Sequence, residues 1–323
     1  MRIALQYLDP AVQKIKRGES EFVDETQPPK PTEGDCLQAF GVNSTASART
    51  SSRRGSHASV AKMTKQEALV GFLDRLADAA SDAIRPHFRA PIPVENKGPA
   101  GFDPVTIADR AAETAIRRLI NETYPDHGII GEEYGSERTD ADHVWVIDPI
   151  DGTRAFITGL PVWGTLIGLM REGQPVLGTM AQPFTGERYT GDGRHAWYTG
   201  PGGSRTLAVR RCPTLGEAVL FTTSPMLFGA DDRRGYDRVE SAAKLVRYGC
   251  DCYAYCMVAA GFADIVVEAD LEPYDIVPLI PVITGAGGEV TDWAGRSAAG
   301  GGRVVASGDR RVHEQALKRL ADG

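Results

Sequence analysis

The sequence predicts a mixed α and β protein in which an α+β unit is followed by a smaller α/β unit. An amphipathic helix pattern begins at Thr64, and short apolar runs separated by turn residues follow it, as in antiparallel sheets. From Ala218 onwards the chain instead alternates strand and helix patterns, which is typical of α/β units. We therefore expect three segments: 1–62 as an N-terminal extension, 63–205 as the α+β unit and 206–323 as the α/β unit.

The N-terminal extension, residues 1–62, differs in composition from the rest of the chain. Its proline-rich run 27–32 and its Ser/Thr/Arg-rich run 43–57 lack apolar periodicity, which predicts disorder. The arginines resemble those of an organelle transit peptide, but the acidic residues between 19 and 25 argue against one. We favour a translation start assigned too far upstream of Met63 and a cytoplasmic protein, with organelle targeting as the alternative.

Charge and composition argue against several classes of partner. The net charge of −7 and the pI near 5.5 argue against nucleic acid as a partner. The sequence contains no apolar run of about 18 residues, so it predicts no membrane span. Three of the five cysteines, Cys250, Cys252 and Cys256, lie close together but lack the paired spacing of a zinc site. We expect them to be reduced thiols.

The first helix has apolar residues at three- and four-residue intervals and should end near Pro86. A strand end with its turn at 94–98 and a helix at 110–122 follow. Asp109 stands at the start of that helix, where capping alone would explain a carboxylate. The later predicted strands are 128–131, 144–147, 163–170, 176–182, 187–189, 196–198, 218–222, 246–249, 265–268 and 289–292. The later predicted helices are 236–245, 252–260 and 276–285.

The stretch Asp148-Pro-Ile-Asp-Gly-Thr153 follows the apolar strand 144–147 directly. We expect Pro149 to end that strand, so that Asp148 and Asp151 lie on a tight turn. The two residues after them lead into a helix, whose first N–H groups form an anion site.

Four carboxylates follow strand or helix ends at separate places in the chain: Glu132, Asp148, Asp151 and Asp275. Oxygen ligands without a histidine or cysteine cluster suit Mg²⁺ rather than zinc, and Mg²⁺ shares its ligands with substrate phosphates. A Thr153 hydroxyl paired with a carboxylate at Asp109 could orient a water and take its proton.

Other catalytic classes lack their motifs. The sequence contains no P-loop and no Gly-x-Ser-x-Gly elbow, which argues against a nucleoside triphosphate kinase and a serine hydrolase. Hydrolysis of a small phosphate monoester is the function that uses every one of the acidic motifs.

Gly131-Glu-Glu133, Asp148-Pro-Ile-Asp-Gly-Thr153 and the helix start at Asp275 resemble the inositol monophosphatase family of magnesium-dependent, lithium-sensitive phosphatases. The resemblance covers roughly residues 64–320. It implies a layered αβαβα sandwich of the sugar-phosphatase fold, two or three Mg²⁺ ions, a small phosphorylated metabolite as substrate and a homodimer.

The resemblance also assigns roles to individual residues. The expected metal ligands are Glu132, Asp148, the carbonyl of Ile150, Asp151 and Asp275. Gly152 and Thr153 would give backbone N–H groups to the phosphate, and Asp109 with Thr153 would activate water. Lys97 matches a family lysine near the metals, with an ordinary surface charge as the alternative.

Pro273-Tyr-Asp275 and the stretch Arg247–Tyr255 differ from the inositol enzymes. Together with Gly101–Thr106 and Val290–Gly295, the stretch Arg247–Tyr255 resembles the histidinol-phosphatase branch. Histidinol phosphate carries an amine and an imidazole, so its pocket should offer acids, and we expect Asp251 and Glu268 to supply them. Asp251 could instead cap the helix that follows it. Arg247 could steer the phosphate or pair with Asp251.

The resulting hypothesis is Mg²⁺-dependent hydrolysis of L-histidinol phosphate to L-histidinol and phosphate, a step of histidine biosynthesis. The alternative within the same chemistry is a phosphatase for inositol 1-phosphate or another sugar or nucleotide monophosphate. A non-catalytic sensor of metal and phosphate is the alternative from another class. The Asp109 and Thr153 pair argues against the sensor, because binding alone needs no group that activates water.

Overall fold

A computed structural model describes residues 64–97 and 104–321 of the chain, so the predicted N-terminal extension lies outside the described residues. The α-helices are α1 (Lys65–Ile84), α2 (Ile107–Thr123), α3 (Thr153–Ile157), α4 (Ala230–Glu240), α5 (Asp251–Ala259), α6 (Pro273–Ile276), α7 (Ile280–Gly285) and α8 (Arg310–Ala321). The strands are β1 (Val94–Asn96), β2 (Pro104–Thr106), β3 (Gly128–Gly131), β4 (Gly135–Glu137), β5 (His143–Asp151), β6 (Gly164–Arg171), β7 (Gln174–Gln182), β8 (Glu187–Gly191), β9 (Ala196–Gly200), β10 (Gly203–Thr206), β11 (Val219–Thr222), β12 (Leu245–Tyr248), β13 (Ile265–Leu271), β14 (Glu289–Asp292) and β15 (Gly302–Ser307).

The strands form two large sheets and the small β1–β2 pair. The first large sheet has the order β10-β9-β8-β7-β6-β5-β3-β4 and is antiparallel except for the parallel pair β3–β5. The second has the order β12-β11-β13-β15-β14, with β11 parallel to both of its neighbours. The boundary expected between residues 205 and 206 falls inside β10, the edge strand of the first sheet, and the division into two units stays a prediction.

Helices and sheets alternate in five layers, which is the predicted αβαβα sandwich. Helices α1 and α2 cover one face of the first sheet, α5 and α7 lie between the two sheets, and α4 and α8 cover the outer face of the second. Each interface has its own apolar core, with Trp145 in the first, Tyr255 in the second and Tyr236 in the third. Burial of such side chains contributes about 1.5–3 kcal/mol each, so the three cores hold the layers together.

Helix α1 forms as its sequence pattern predicts. Thr64 caps its N-terminus in a capping box with Glu67, and its apolar stripe is buried from Leu69 to Ile84. A 3₁₀ turn that contains Pro86 follows the helix, because proline cannot continue the α-helical hydrogen bonds.

Several element predictions in the second half are wrong in detail. The helix expected at 236–245 runs from Ala230 to Glu240, and Leu245 begins β12, where it pairs with Val219. The helix expected at 276–285 is divided into α6 and α7, because Pro281 fits only the first turn of a helix. Strands β10 and β15 and helix α8 were not among the predicted elements.

The segment from α6 to α7 lies directly on the first sheet. A Cβ atom at Gly178 of β7 would overlap the carbonyl of Pro278, so the backbones meet there without an intervening side chain. This close approach brings the N-terminal end of α6, with Asp275, against β5. Among residues 64–97 and 104–321, no helix combines the length and apolar character needed to cross a bilayer.

Candidate active site

Asp148 and Asp151 lie at the C-terminal end of β5, but the strand does not end at Pro149 as predicted. β5 continues to Asp151, with an irregular register against β6 between the two aspartates. Pro149 is tolerated because such a bulge leaves a residue outside the regular hydrogen-bond ladder. The bulge is closed by the N–H of Ile150, which donates to Oδ1 of Asp148 over 3.0 Å.

Asp148, Asp151 and Asp275 form a compact carboxylate cluster. One oxygen from each residue lies within 4.8 Å of the other two. Burial raises the pKa of Asp148 well above the usual range, and the charge of Glu132 raises it further. Burial raises the pKa of Asp151 in the same way, and there the charge of Asp251 adds to the effect. Burial also raises the pKa of Asp275 to about 7. Gathering buried carboxylates is unfavourable without a counter-charge, and an oxygen-only donor set matches a hard divalent cation.

Glu132 approaches this cluster from β3. Its N–H donates to the carbonyl of Ile147, and its Oε1 lies 2.7 Å from the ammonium nitrogen of Lys97. Its Oε2 is buried and has no hydrogen-bond partner among the described residues. The ammonium nitrogen of Lys97 also lies 2.5 Å from Oε1 of Glu133. Burial lowers the pKa of Lys97, but the two glutamates outweigh this effect and raise it overall.

Asp109 and Thr153 are both hydrogen-bonded to groups near them in the sequence. Asp109 accepts from the N–H of Thr106 over 2.9 Å and from its hydroxyl over 2.6 Å, which completes the N-terminal capping box of α2. Burial raises the pKa of Asp109 to about 6, although these hydrogen bonds lower it. The hydroxyl of Thr153 donates to the carbonyl of Ile150 over 3.0 Å.

Asp251 is not the helix cap that the sequence left open. Cys250 occupies the N-cap position of α5, and Asp251 has a φ of 43°, a left-handed conformation that Asp tolerates better than most residues. The carboxylate carbon of Asp251 lies 3.1 Å from the position that a Cβ of Gly152 would occupy. Gly152 itself has a φ of 83° and begins α3, so only glycine suits this contact. Burial raises the pKa of Asp251 to about 6, and the charge of Arg154 lowers it.

Helix α5 is also tied to the carboxylate cluster. The N–H of Cys252 donates to Oδ2 of Asp151 over 2.6 Å. This hydrogen bond therefore fixes the position of Asp251, at the start of α5, relative to Asp151, at the end of β5.

Glu268 of β13 is a buried acid. Its two oxygens accept from the N–H of Thr223 over 2.6 Å and from the hydroxyl of Thr222 over 3.0 Å. Burial raises the pKa of Glu268 to about 7.

A cleft of about 320 Å³ lies beside the carboxylate cluster. Of the residues predicted from sequence, those that line it are Asp151, Gly152, Thr153, Asp251, Glu268 and Asp275. Arg247, predicted to contact the substrate or to pair with Asp251, is exposed on β12 at the edge of the second sheet. The positive charge that lowers the pKa of Asp251 is that of Arg154. The sequence reading missed Arg154, Thr223 and Asp270, which also line the cleft. The position of Arg154, directly after the central motif, was the available signal.

Comparisons with known proteins identify the family of this chain. Residues 65–322 match the inositol monophosphatase family. A bifunctional phosphatase IMPL2, chloroplastic, from Arabidopsis thaliana is 46% identical over 257 residues, which are 76% of this chain and 72% of that protein. A histidinol-phosphatase from Mycobacterium tuberculosis is 32% identical over 253 residues, 77% of this chain and 96% of that protein.

The same fold is found in solved structures. An inositol monophosphatase from Zymomonas mobilis aligns with a TM-score of 0.71 and 39% identity, covering 80% of this chain and 99% of its own. The match over most of the chain, together with the carboxylate cluster at the end of β5, shows that this protein is a phosphatase of the metal-dependent inositol monophosphatase family.

Proposed function

We propose that this chain is a Mg²⁺-dependent phosphatase that hydrolyses L-histidinol phosphate to L-histidinol and phosphate. The observation that carries the choice of substrate is the position of Asp251, whose carboxylate lies against Gly152 at the start of α3. The choice of metal follows from the carboxylate cluster.

The residues proposed to hold the metal are Glu132, Asp148, Asp151, Asp275 and the carbonyl of Ile150. The donor set fits because all of its atoms are oxygens, the cluster gathers buried Asp148 with half-buried Asp151 and Asp275, and Oε2 of Glu132 is buried without a partner among the described residues. When bound, two or three Mg²⁺ ions supply positive charge that makes a water more acidic and stabilises the leaving oxygen. Lys97 keeps Glu132 in place in this proposal, rather than binding substrate.

Asp109 and Thr153 are proposed to activate the water. A carboxyl whose pKa is about 6 accepts a proton readily near neutral pH. The Thr153 hydroxyl now donates to the carbonyl of Ile150, and in this step it turns its proton towards Asp109 while its lone pair accepts from the water. Gly152 and Thr153 offer their backbone N–H groups to the phosphate.

The substrate is distinguished by its positive charges. In histidinol phosphate the amine is attached to the carbon next to the one that carries the ester oxygen, so it must lie close to the phosphate. Asp251 provides an acid beside the proposed phosphate site, and Glu268 provides a second acid in the same cleft for the imidazole. An inositol phosphate would bring only hydroxyl groups to these two acids.

The relatives support this proposal without deciding it. Proteins named histidinol-phosphatase match at 32–36% identity in Chlorobaculum parvum, Mycobacterium tuberculosis and Streptomyces coelicolor. An inositol-1-monophosphatase ImpA from Mycolicibacterium smegmatis matches at 33%. Inositol 1-phosphate therefore remains the competing substrate.

Assembly and location complete the proposal. We expect a homodimer, which sedimentation of the purified chain tests. We expect a cytoplasmic location, with organelle targeting as the alternative, since the Arabidopsis relative is named chloroplastic. A fluorescent protein fused to residues 1–62 distinguishes the two.

Phosphate release from L-histidinol phosphate and from inositol 1-phosphate, each with Mg²⁺ and with a chelator, tests the proposed function. Mg²⁺-dependent release of phosphate and L-histidinol is the expected result. Release from inositol 1-phosphate alone would keep the metal mechanism and refute the assigned substrate. Release from neither, in a protein that still binds Mg²⁺, would favour a sensor.

A further inference from the structure

Glu113 is a fully buried carboxylate of α2 that has no part in the chemistry proposed above. It lies one helical turn after Asp109, on the same side of α2, and is shielded completely from solvent. A buried charge persists only when hydrogen bonds satisfy it, so the partners of Glu113 show what it does.

Two of those partners are backbone groups next to Glu132. Oε2 of Glu113 accepts from the N–H of Glu133 over 2.7 Å, and Oε1 accepts from the N–H of Tyr134 over 3.2 Å. On its other side, Glu132 donates its own N–H to the carbonyl of Ile147 on β5 over 3.2 Å. The backbone is therefore fixed on both sides of Glu132, by the sheet before it and by Glu113 after it.

The approach of Glu113 to this turn requires a glycine. A Cβ on Gly131, the residue before Glu132, would overlap Oε1 of Glu113. Any larger residue at position 131 would displace the Glu113 carboxylate from its hydrogen bonds. The turn that carries Glu132 is thus built around the Glu113 carboxylate.

Arg117 holds that carboxylate in turn. Its Nε donates to Oε1 of Glu113 over 2.7 Å, and its Nη1 lies 3.0 Å from Oε1 of Glu137. It also donates to the carbonyl of Gly135. The guanidinium thereby joins α2 to β4, on the far side of the turn, and holds the Glu113 carboxylate in place.

We propose that Glu113, held by Arg117, is a positioning residue that sets the direction in which Glu132 presents its carboxylate to the metal. This inference rests on the proposed metal-binding role of Glu132. Groups that orient metal ligands typically change metal affinity 10- to 100-fold when they are removed. A role confined to holding the fold together would lower stability and leave metal affinity unchanged.

The chain offers a matched control directly before β13 of the second sheet. Asp264 is also buried, accepts from Nε of Arg210 over 2.7 Å and from the N–H of Val219 over 2.7 Å, and lies outside the candidate site. Asp264→Asn should therefore cost stability, as Glu113→Gln does, without touching a metal ligand.

The test is Mn²⁺ binding to the full chain, measured by electron paramagnetic resonance, together with the unfolding temperature of each variant. We expect Glu113→Gln to weaken Mn²⁺ binding by roughly 10- to 100-fold and Asp264→Asn to leave it at the wild-type value. Arg117→Lys, which keeps the positive charge but loses the forked contact, should weaken binding in the same direction and serves if Glu113→Gln does not fold.

Wild-type Mn²⁺ affinity in folded Glu113→Gln, or in Arg117→Lys if only that variant folds, would overturn the inference. Glu132→Gln separates the two levels of the argument. If Glu132→Gln also binds Mn²⁺ normally, the metal site itself is wrongly assigned. If it loses binding while the Glu113 and Arg117 variants keep it, only the positioning role fails.

Discussion

Replacing Asp251 by asparagine is the change that most sharply separates substrate recognition from chemistry. Asparagine is nearly isosteric with aspartate and also tolerates the left-handed φ of 43° at this position, so the backbone at the start of α5 should not change. What is lost is one negative charge beside Gly152.

The expected effect follows from the contact it removes. A hydrogen bond to a charged group contributes about 1.5–3 kcal/mol, which corresponds to about 10- to 150-fold in kcat/KM. Because the cleft is open to solvent, we expect a loss near the lower end, roughly 10- to 30-fold, for L-histidinol phosphate. For p-nitrophenyl phosphate, which has no amine, kcat/KM should change little.

The assay is phosphate release under Mg²⁺ saturation for both substrates. Asp270→Asn is the matched control, because Asp270 lines the same cleft, also has a positive φ, of 59°, and is exposed to solvent. It should leave both substrates near their wild-type values. Equal losses on both substrates in Asp251→Asn would show that Asp251 supports the site itself, and no loss would place the amine elsewhere.

Three further predictions concern the metal cluster, the buried acid of the cleft and the N-terminal extension. Asp151→Asn should abolish turnover, and retained turnover would refute the ligand assignment. It should also raise the unfolding temperature of the metal-free protein, because it removes one of several mutually repelling buried charges. The expected rise is roughly 2–4 °C, the shift that about 1 kcal/mol gives a domain of this size. Burial raises the pKa of Glu268 to about 7 from 4.5, so its contribution to folding is present below pH 4.5 and is lost as the pH rises towards 7. This loss in the free energy of unfolding is on the order of 3 kcal/mol, and denaturant unfolding of metal-free Glu268→Gln should not show it. A variant whose stability depends on pH as the wild type's does would contradict this prediction. A chain that starts at Met63 should keep full activity and solubility; loss of either would give residues 1–62 a role in the enzyme.

The sequence was informative where local pattern and chemistry agree. The apolar spacing from Leu69 to Ile84 predicts α1 because a surface helix must bury one face. The acidic motifs predict the cluster at the end of β5 because few other arrangements explain carboxylates after successive strand ends. Asp148, Asp151 and Asp275 are indeed brought together, although their binding of metal stays a prediction.

Sequence reasoning failed where tertiary contacts decide. Pro149 is a strong stop signal by itself, but a bulge in β5 accommodates it. Leu245 continues an apolar pattern that suits a helix, and pairing with β11 makes it a strand residue. Glu113 is one of many helical glutamates in the sequence, and only the fold shows that two N–H groups of the turn after β3 are bound to it.

Competition between L-histidinol phosphate and inositol 1-phosphate in one Mg²⁺-containing reaction tests the central claim most directly, because the ratio of the two products gives the ratio of kcat/KM values. If the acids at Asp251 and Glu268 select a cationic substrate, L-histidinol should form at least about tenfold faster than inositol at equal substrate concentrations. Equal rates, or faster formation of inositol, would contradict the account of the cleft and leave a general monophosphatase of the same family.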